Sequence, residues 1–384
     1  MQNMNKILNE MSSFIVMDIL DKAKEMERKG IDVIHLEVGE PDFDVSENVS
    51  KSVIQAYAEH RTHYTSSLGD IELRKEIALL YKQEYNVEIK PEQILVTCGS
   101  SPAILFLMLM LCDNGSEVIL SNPGYSCYKN FVLAAHAKPV YMPLYAEQGF
   151  QYNVEDIRQK ITPNTAAIFI NSPMNPTGAV LSEEFMKEVS TLGVPIISDE
   201  IYHGLVYEGK AHSILEYSDN AFVLNGFSKR FAMTGLRLGY LIAPMQYIPS
   251  LIKLQQNIMI CAGSTAQRAG IAALRDRDDY TARTKKIYNE RRLYMLDRLR
   301  SLGFDIPTAP QGAFYIFADA HKFTNDSLQF ALDILENAHV GVTPGIDFGS
   351  RGEGYIRFSY ANSIERIKEG LDRLEQYLSK LPKK

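Results

Sequence analysis

Lys229 and Arg237 stand eight residues apart in a largely apolar stretch, NGFSKRFAMTGLRLGY (225–240). A lysine amine adds to an aldehyde once it has lost its proton, and a desolvated or cation-rich site promotes that loss. An arginine keeps its charge at any useful pH, and its planar fork matches a phosphate. The pair suits a small molecule carrying both an aldehyde and a phosphate. Taken alone, the stretch reads equally well as a surface lysine and a structural arginine in a loop, so its context must decide.

That context is a run of short apolar segments alternating with helical ones. ILVTC (94–98), EVILS (117–121), AAIFIN (166–171), VPIISD (194–199) and AFVLN (221–225) read as strands. Helical spacing marks 17–29, closed by Gly30, then 46–60, a helix from about Asp70, and the ten-residue apolar run Ala103–Cys112, which reads as a buried helix. Apolar strands joined by helical crossovers predict a largely parallel sheet covered on both faces. After residue 245 the pattern gives helices at 246–260, 264–275 and 279–302, the last with basic residues expected on a solvated face. The C-terminal part reads as strand 313–319, helix 326–338, strands 340–344 and 355–361, and a last helix from 363. The expected fold class is therefore α/β, a large domain (46–275) with a mostly parallel sheet. A smaller α+β domain is expected from residues 1–45 and 276–384.

Ligands of such sheets sit beyond the carboxyl ends of the strands. Just past those ends come Gly99-Ser100-Ser101, Tyr125, Asn175, Asp199 with Tyr202, and Ser228-Lys229. These groups match the demands of pyridoxal 5′-phosphate (PLP), for which a protein supplies orientation and electrostatics. Asp199 can pair with a protonated pyridine nitrogen, and Tyr125 can lie against the ring face. Asn175 and Tyr202 can bond the ring hydroxyl, and Gly99-Ser100-Ser101 opening a helix can hold the phosphate with Arg237. Singly each has a plain alternative: Asn-Pro-Thr-Gly is a turn, and Asp199 could cap a helix or pair with another cation.

Composition excludes other classes. A net charge of −7 offers no electrostatic footprint for nucleic acid or an anionic membrane. Cys98, Cys112, Cys127 and Cys261 are scattered without a C-x-x-C, and the histidines lack H-E-x-x-H. Reduced, mostly buried thiols, a cytoplasmic location and no metal site are expected. The first residues lack the apolar core of a signal peptide, and no apolar run is long enough to span a membrane.

Eight ordered motifs carry a resemblance: VGEPDFD (38–44), HYTSSLG (63–69), TCGSSPA (97–103), SPMNPTG (172–178), SDEIY (198–202), SKRFAMTGLRLGY (228–240), GAFY (312–315) and YIRFSYA (355–361). From about residue 13 to 380 the chain resembles the PLP-dependent aminotransferases of class I and II, fold type I, the aspartate aminotransferase-like group. The resemblance implies that Lys229 is the Schiff-base lysine and moves the proton at the substrate α-carbon. It implies that Asp199 pairs with the pyridine nitrogen, that Asn175 and Tyr202 bind the ring oxygen, and that Tyr125 stacks on the ring. Ser100, Ser101, Ser228 and Arg237 would hold the phosphate. Arg357 would grip the substrate α-carboxylate beside Gly39, and Tyr64 would reach the neighbouring subunit's phosphate in a homodimer. Two departures stand out. Gly226 occupies a position where many relatives carry a serine, removing one phosphate hydroxyl, and Tyr125 stands where others have tryptophan.

The implied reaction is a ping-pong transfer of an amino group between an L-amino acid and a 2-oxo acid. A PLP-dependent C–S β-lyase on the same scaffold is the alternative, since substrate orientation selects the bond that breaks. A non-catalytic PLP-binding sensor is the third, disfavoured because the motifs begin near residue 13 and leave no room for a DNA-binding module. No basic residue lies in Gly99–Pro102, where some aspartate-preferring relatives place a lysine, which favours neutral or aromatic donors. Ser12–Met17, with Phe14 and Ile15, is expected either to line the same pocket or simply to pack.

Overall fold

The computed structural model describes residues 5–382. Its first elements are α1 (Ile15–Arg28), the short β1 (Ile34–His35), α2 (Glu47–Ala58) and α3 (Ile71–Tyr85). Ser46 and Asp70 cap the last two through their side chains, satisfying N–H groups that the first turn leaves open.

Next along the chain is a seven-stranded sheet, built from β2 (Ile94–Thr97), β3 (Glu117–Asn122), β4 (Lys138–Pro143), β5 (Thr165–Asn171), β6 (Ile196–Asp199), β7 (Ala221–Gly226) and β8 (Gly239–Ile242). Its order is β2-β8-β7-β6-β5-β3-β4. All pairings are parallel except those of β8, which runs against both β2 and β7. Successive side chains leave opposite faces. Ile94, Val96, Ile196 and Val223 join one core, with Leu73, Ile77 and Tyr81 of α3. Leu95, Ile197, Phe222 and Leu224 join another, with Phe106 and Leu107 of α4 (Ser100–Leu111). The fold is the expected α/β arrangement, a mostly parallel sheet with helices on both faces.

Two strands escape the sequence pattern. β4 is an edge strand with two prolines and mostly half-exposed residues, so it lacks a clean apolar run. β8 is only four residues long and continues directly from the Arg237 motif.

The C-terminal part forms β9 (Tyr315–Asp319), β10 (Val340–Gly341), β11 (Thr343–Pro344) and β12 (Tyr355–Ser359). The single strand expected over 340–344 is split: β10 pairs with β1, while β11 joins the antiparallel sheet β11-β12-β9. Ile19 and Ala23 of α1 and Ile34 of β1 share a core with Ile316, Leu335, Ile356 and Phe358.

Two expectations fail locally. The basic face of the helix Arg277–Ser301 is not wholly solvated, because Arg291 and Arg292 are buried. Arg291 makes a bidentate pair with Asp42 at 2.7 and 2.8 Å, and Arg292 donates to the Pro310 carbonyl at 2.7 Å and to Glu208 at 2.6 Å. Asp42, Glu208 and the Pro310 carbonyl lie 18 to 249 residues away, so local spacing could not reveal them. The four cysteines are free, as expected, but half-buried rather than buried.

Candidate active site

Parallel strands β3, β5, β6 and β7 deliver their carboxyl ends to one edge of the sheet, and β2 ends there as well. Because β8 runs the other way, its first residue, Gly239, pairs with Thr97 and Gly226 at this same edge. Arg237, two residues earlier, is thereby brought beside the end of β2. At this edge lies a cavity of about 480 Å³, within the usual range for a small-molecule site. Gly39, Ser100, Ser101, Tyr125, Asn175, Asp199, Tyr202, Ser228, Lys229, Arg237 and Arg357 all line it. Gly99 stands directly behind Arg237. Tyr64 lies outside the cavity of its own chain and is 79% exposed.

Lys229 comes three residues after β7, and its Nζ donates to the Gly39 carbonyl at 2.6 Å. Burial pushes its amine down to about 8; Glu40 opposes that shift, and Arg357 and Arg237 reinforce it. Asp199 is the last residue of β6 and is buried. Its carboxylate accepts the Tyr128 hydroxyl at 2.7 Å and the Ile201 N–H at 3.1 Å. Burial nevertheless lifts its carboxyl to about 6, against those two hydrogen bonds and the Lys229 charge.

Asn171 holds the edge in shape. Its side chain donates to the Asp199 carbonyl at 2.9 Å and accepts the Asn175 N–H at 2.8 Å. Arg357, on β12, donates to the Asn175 side chain at 2.8 Å and to the Glu37 carbonyl at 2.6 Å. Its guanidinium lies 4.2 Å from the centre of the Tyr315 ring, and its buried Nε has no partner among the described residues. Tyr315 and Tyr202 share a hydroxyl hydrogen bond of 2.8 Å. At the other end, α4 opens at Gly99, whose φ is +84°. A Cβ there would sit 2.7 Å from Arg237 Nη2, so only glycine lets the guanidinium approach the helix N-terminus.

The residues present fit PLP. A helix N-terminus beside an arginine is a phosphate cradle. Among the described residues the buried Asp199 carboxylate is bonded by a hydroxyl and a peptide N–H and by no cation, a place that a protonated ring nitrogen would fill. A buried lysine with a lowered pKa lines the same cavity.

Several lining residues escape sequence reasoning. Tyr128 is legible only as the third residue after Tyr125, one turn along the helix Cys127–Ala134, which is α5. Tyr315 lies in the GAFY motif, but its pairing with Tyr202 and Arg357 is invisible there. Glu40 and Thr234 bond each other across the cavity mouth, and nothing in their spacing joins them. Phe14, Val16, Met17 and Leu20 line the side facing α1, so the N-terminal segment does reach the cavity; Ile15 points elsewhere and packs in the core with Ile19.

The chain is similar to known proteins over nearly its whole length. Residues 31–374 match the family model described as aminotransferase class I and II. A (5-formylfuran-3-yl)methyl phosphate transaminase from Methanocaldococcus jannaschii is 42% identical, covering 98% of this chain and 100% of its own. An aspartate aminotransferase from Pyrococcus horikoshii is 38% identical over 94% of each chain. The structure of a Thermus thermophilus aspartate aminotransferase with maleate superposes with a TM-score of 0.94 at 33% identity, covering 98% of this chain and 100% of that one.

Proposed function

This chain belongs to the class I and II aminotransferase family and is a PLP-dependent transaminase, and on that premise we propose that its amino donor is an apolar, preferably aromatic, L-amino acid. The observation that carries the reading is the charge of the cavity wall. Its lining cations are Lys229, Arg237 and Arg357. Amine chemistry, phosphate and α-carboxylate use all three, so among the described residues the cavity wall offers no further cation to a donor side-chain carboxylate. The wall toward α1 instead presents Phe14, Val16, Met17 and Leu20, beside Ile104 and Tyr125. Apolar contact there favours a ring, and a buried unpaired carboxylate is costly.

When bound, PLP supplies the aldehyde that takes up the amine and an electron sink for the bond broken at the α-carbon. The protein's own groups do the rest. Lys229, neutral in a useful fraction near pH 8, carries the proton from the α-carbon and returns it. Asp199, held by Tyr128 and the Ile201 N–H, would keep a proton on the ring nitrogen. Asn175 and Tyr202 would offer hydrogen bonds to the ring oxygen, and Tyr125 would cover a ring face. Ser100, Ser101, Ser228 and Arg237 would hold the phosphate, with Gly99 giving Arg237 its space. Arg357 fixes the α-carboxylate beside Gly39, which orients the α-hydrogen toward Lys229.

The same reading makes the enzyme a homodimer. Tyr64, with the exposed Ile54 and Tyr57 of α2, belongs to the face between subunits, and its hydroxyl completes the partner's phosphate site. It divides the chain into a PLP-binding domain over 46–275 and a small domain from 1–45 and 276–384. The free cysteines support a reducing, cytoplasmic setting.

The test is the first half-reaction of the loaded enzyme, without acceptor, measured as 2-oxo acid released from phenylalanine, tyrosine, alanine or aspartate. Phenylalanine should exceed aspartate at least about tenfold in kcat/KM. An enzyme that prefers aspartate overturns the donor reading while leaving the family intact.

A further inference from the structure

Helix α1 begins without a cap of its own: Phe14, at its N-cap position, has no side chain able to accept the first N–H groups. The missing acceptor comes from the other end of the chain. Asp347, in the short turn Gly345–Phe348, accepts the Ile15 N–H with one oxygen at 3.1 Å. Its other oxygen accepts the Ser126 hydroxyl at 3.3 Å. Ile15 is the neighbour of Phe14, and Ser126 is the neighbour of Tyr125. The two rings meet edge to face, with centroids 5.8 Å apart and planes at 89°. A single buried carboxylate thus grips the backbone beside one aromatic wall of the cavity and the side chain beside the other.

The arrangement is reinforced on each side. Ser12 and Asn130 exchange two hydrogen bonds, of 3.3 and 3.1 Å, pinning the approach to α1 onto α5. The turn carrying Asp347 is itself anchored, because the Phe348 carbonyl accepts the Gly124 N–H at 2.9 Å and its ring lies 4.9 Å from the Arg357 guanidinium. A negative group at the start of α1 is also favoured by the helix dipole.

We propose that Asp347 is a positioning residue for donor selection, a cap supplied from a distant part of the chain that fixes Phe14 edge-on to Tyr125 and so sets Phe14 as the wall against which a donor ring packs. The inference rests on the aromatic-donor reading. Asp347 does not line the cavity and acts through the placement of Phe14. A small donor such as alanine does not reach that wall and is indifferent to it. An asparagine at this position still accepts the Ile15 N–H and can bond Ser126, whereas alanine does neither.

The experiment compares loaded wild-type enzyme with D347A, D347N and S126A. In steady-state turnover with phenylalanine as donor and a saturating 2-oxo acid acceptor, D347A should raise KM about tenfold with kcat nearly unchanged, while alanine changes by less than about threefold. D347N should restore most of the discrimination, and S126A should fall between. Amide hydrogen exchange of the loaded enzymes should be faster at Ile15 and Val16 in D347A, and close to wild type in D347N. A D347A enzyme that keeps the wild-type KM for phenylalanine, or loses phenylalanine and alanine alike, overturns the proposal. A wild-type enzyme indifferent to a donor ring overturns the aromatic-donor reading instead, and the clamp then stands or falls on the exchange rates.

Discussion

Arg357 donates from Nη1 to the side-chain oxygen of Asn175 at 2.8 Å, joining the small antiparallel sheet to the loop beyond β5 across 182 residues of sequence. One guanidinium thereby fixes the distance between the group assigned to the substrate carboxylate and a group assigned to the coenzyme ring. Lysine cannot reproduce that fork. In R357K, donor KM should rise and kcat/KM should fall roughly 100-fold, in line with the cost of truncating a buried, hydrogen-bonded charge. Steady-state kinetics within about threefold of wild type would remove Arg357 from the site.

Lys229 must be neutral to attack an aldehyde, and burial brings its amine down to about 8. The rate at which coenzyme-free protein takes up PLP should therefore rise about tenfold per pH unit up to roughly pH 8 and then level. A rate that goes on rising toward the ordinary lysine value of 10.5 would show an unperturbed amine. Stopped-flow absorbance reads the difference.

Asp199 exchanges stability for function. Burial raises its carboxyl from 3.8 to about 6, so the folded, coenzyme-free chain holds more protons than the unfolded one in that window. Its contribution is fully present below the unfolded value and is lost as pH rises through about 6. Coenzyme-free D199N should resist urea better than wild type at pH 7.5, by up to roughly 3 kcal/mol, and match it near pH 4. With PLP bound the order should reverse, and turnover should fall, because the ring nitrogen loses its anion. Equal stability of the two coenzyme-free proteins at pH 7.5 would count against an uncompensated buried charge.

Gly99 has φ +84°, and its added Cβ would meet Arg237 Nη2 at 2.7 Å. G99A should displace the guanidinium and weaken PLP binding about tenfold or more, with saturating coenzyme restoring part of the activity. Unchanged PLP affinity in an equilibrium titration would place the phosphate elsewhere.

Much of the site was legible because Ser100, Asn175, Asp199 and Lys229 each lie at or just beyond the end of a strand. A mostly parallel sheet carries such positions to one edge whatever the details of packing, so local pattern and a topological rule suffice. The continuous apolar runs that make those strands also require cover on both faces of the sheet. Tertiary structure decided the rest. Arg237 reaches that edge because β8 reverses direction, a fact held in its pairing with β2 and β7. The Tyr128 hydroxyl on Asp199, the Tyr202–Tyr315 bond and the Asp347 clamp on α1 join residues between 71 and 332 positions apart. Such contacts depend on how helices and the small sheet pack on the large one, and no local periodicity encodes that. The sequence therefore determined the coenzyme chemistry, while packing decided how its charges are held and which side chains face the donor.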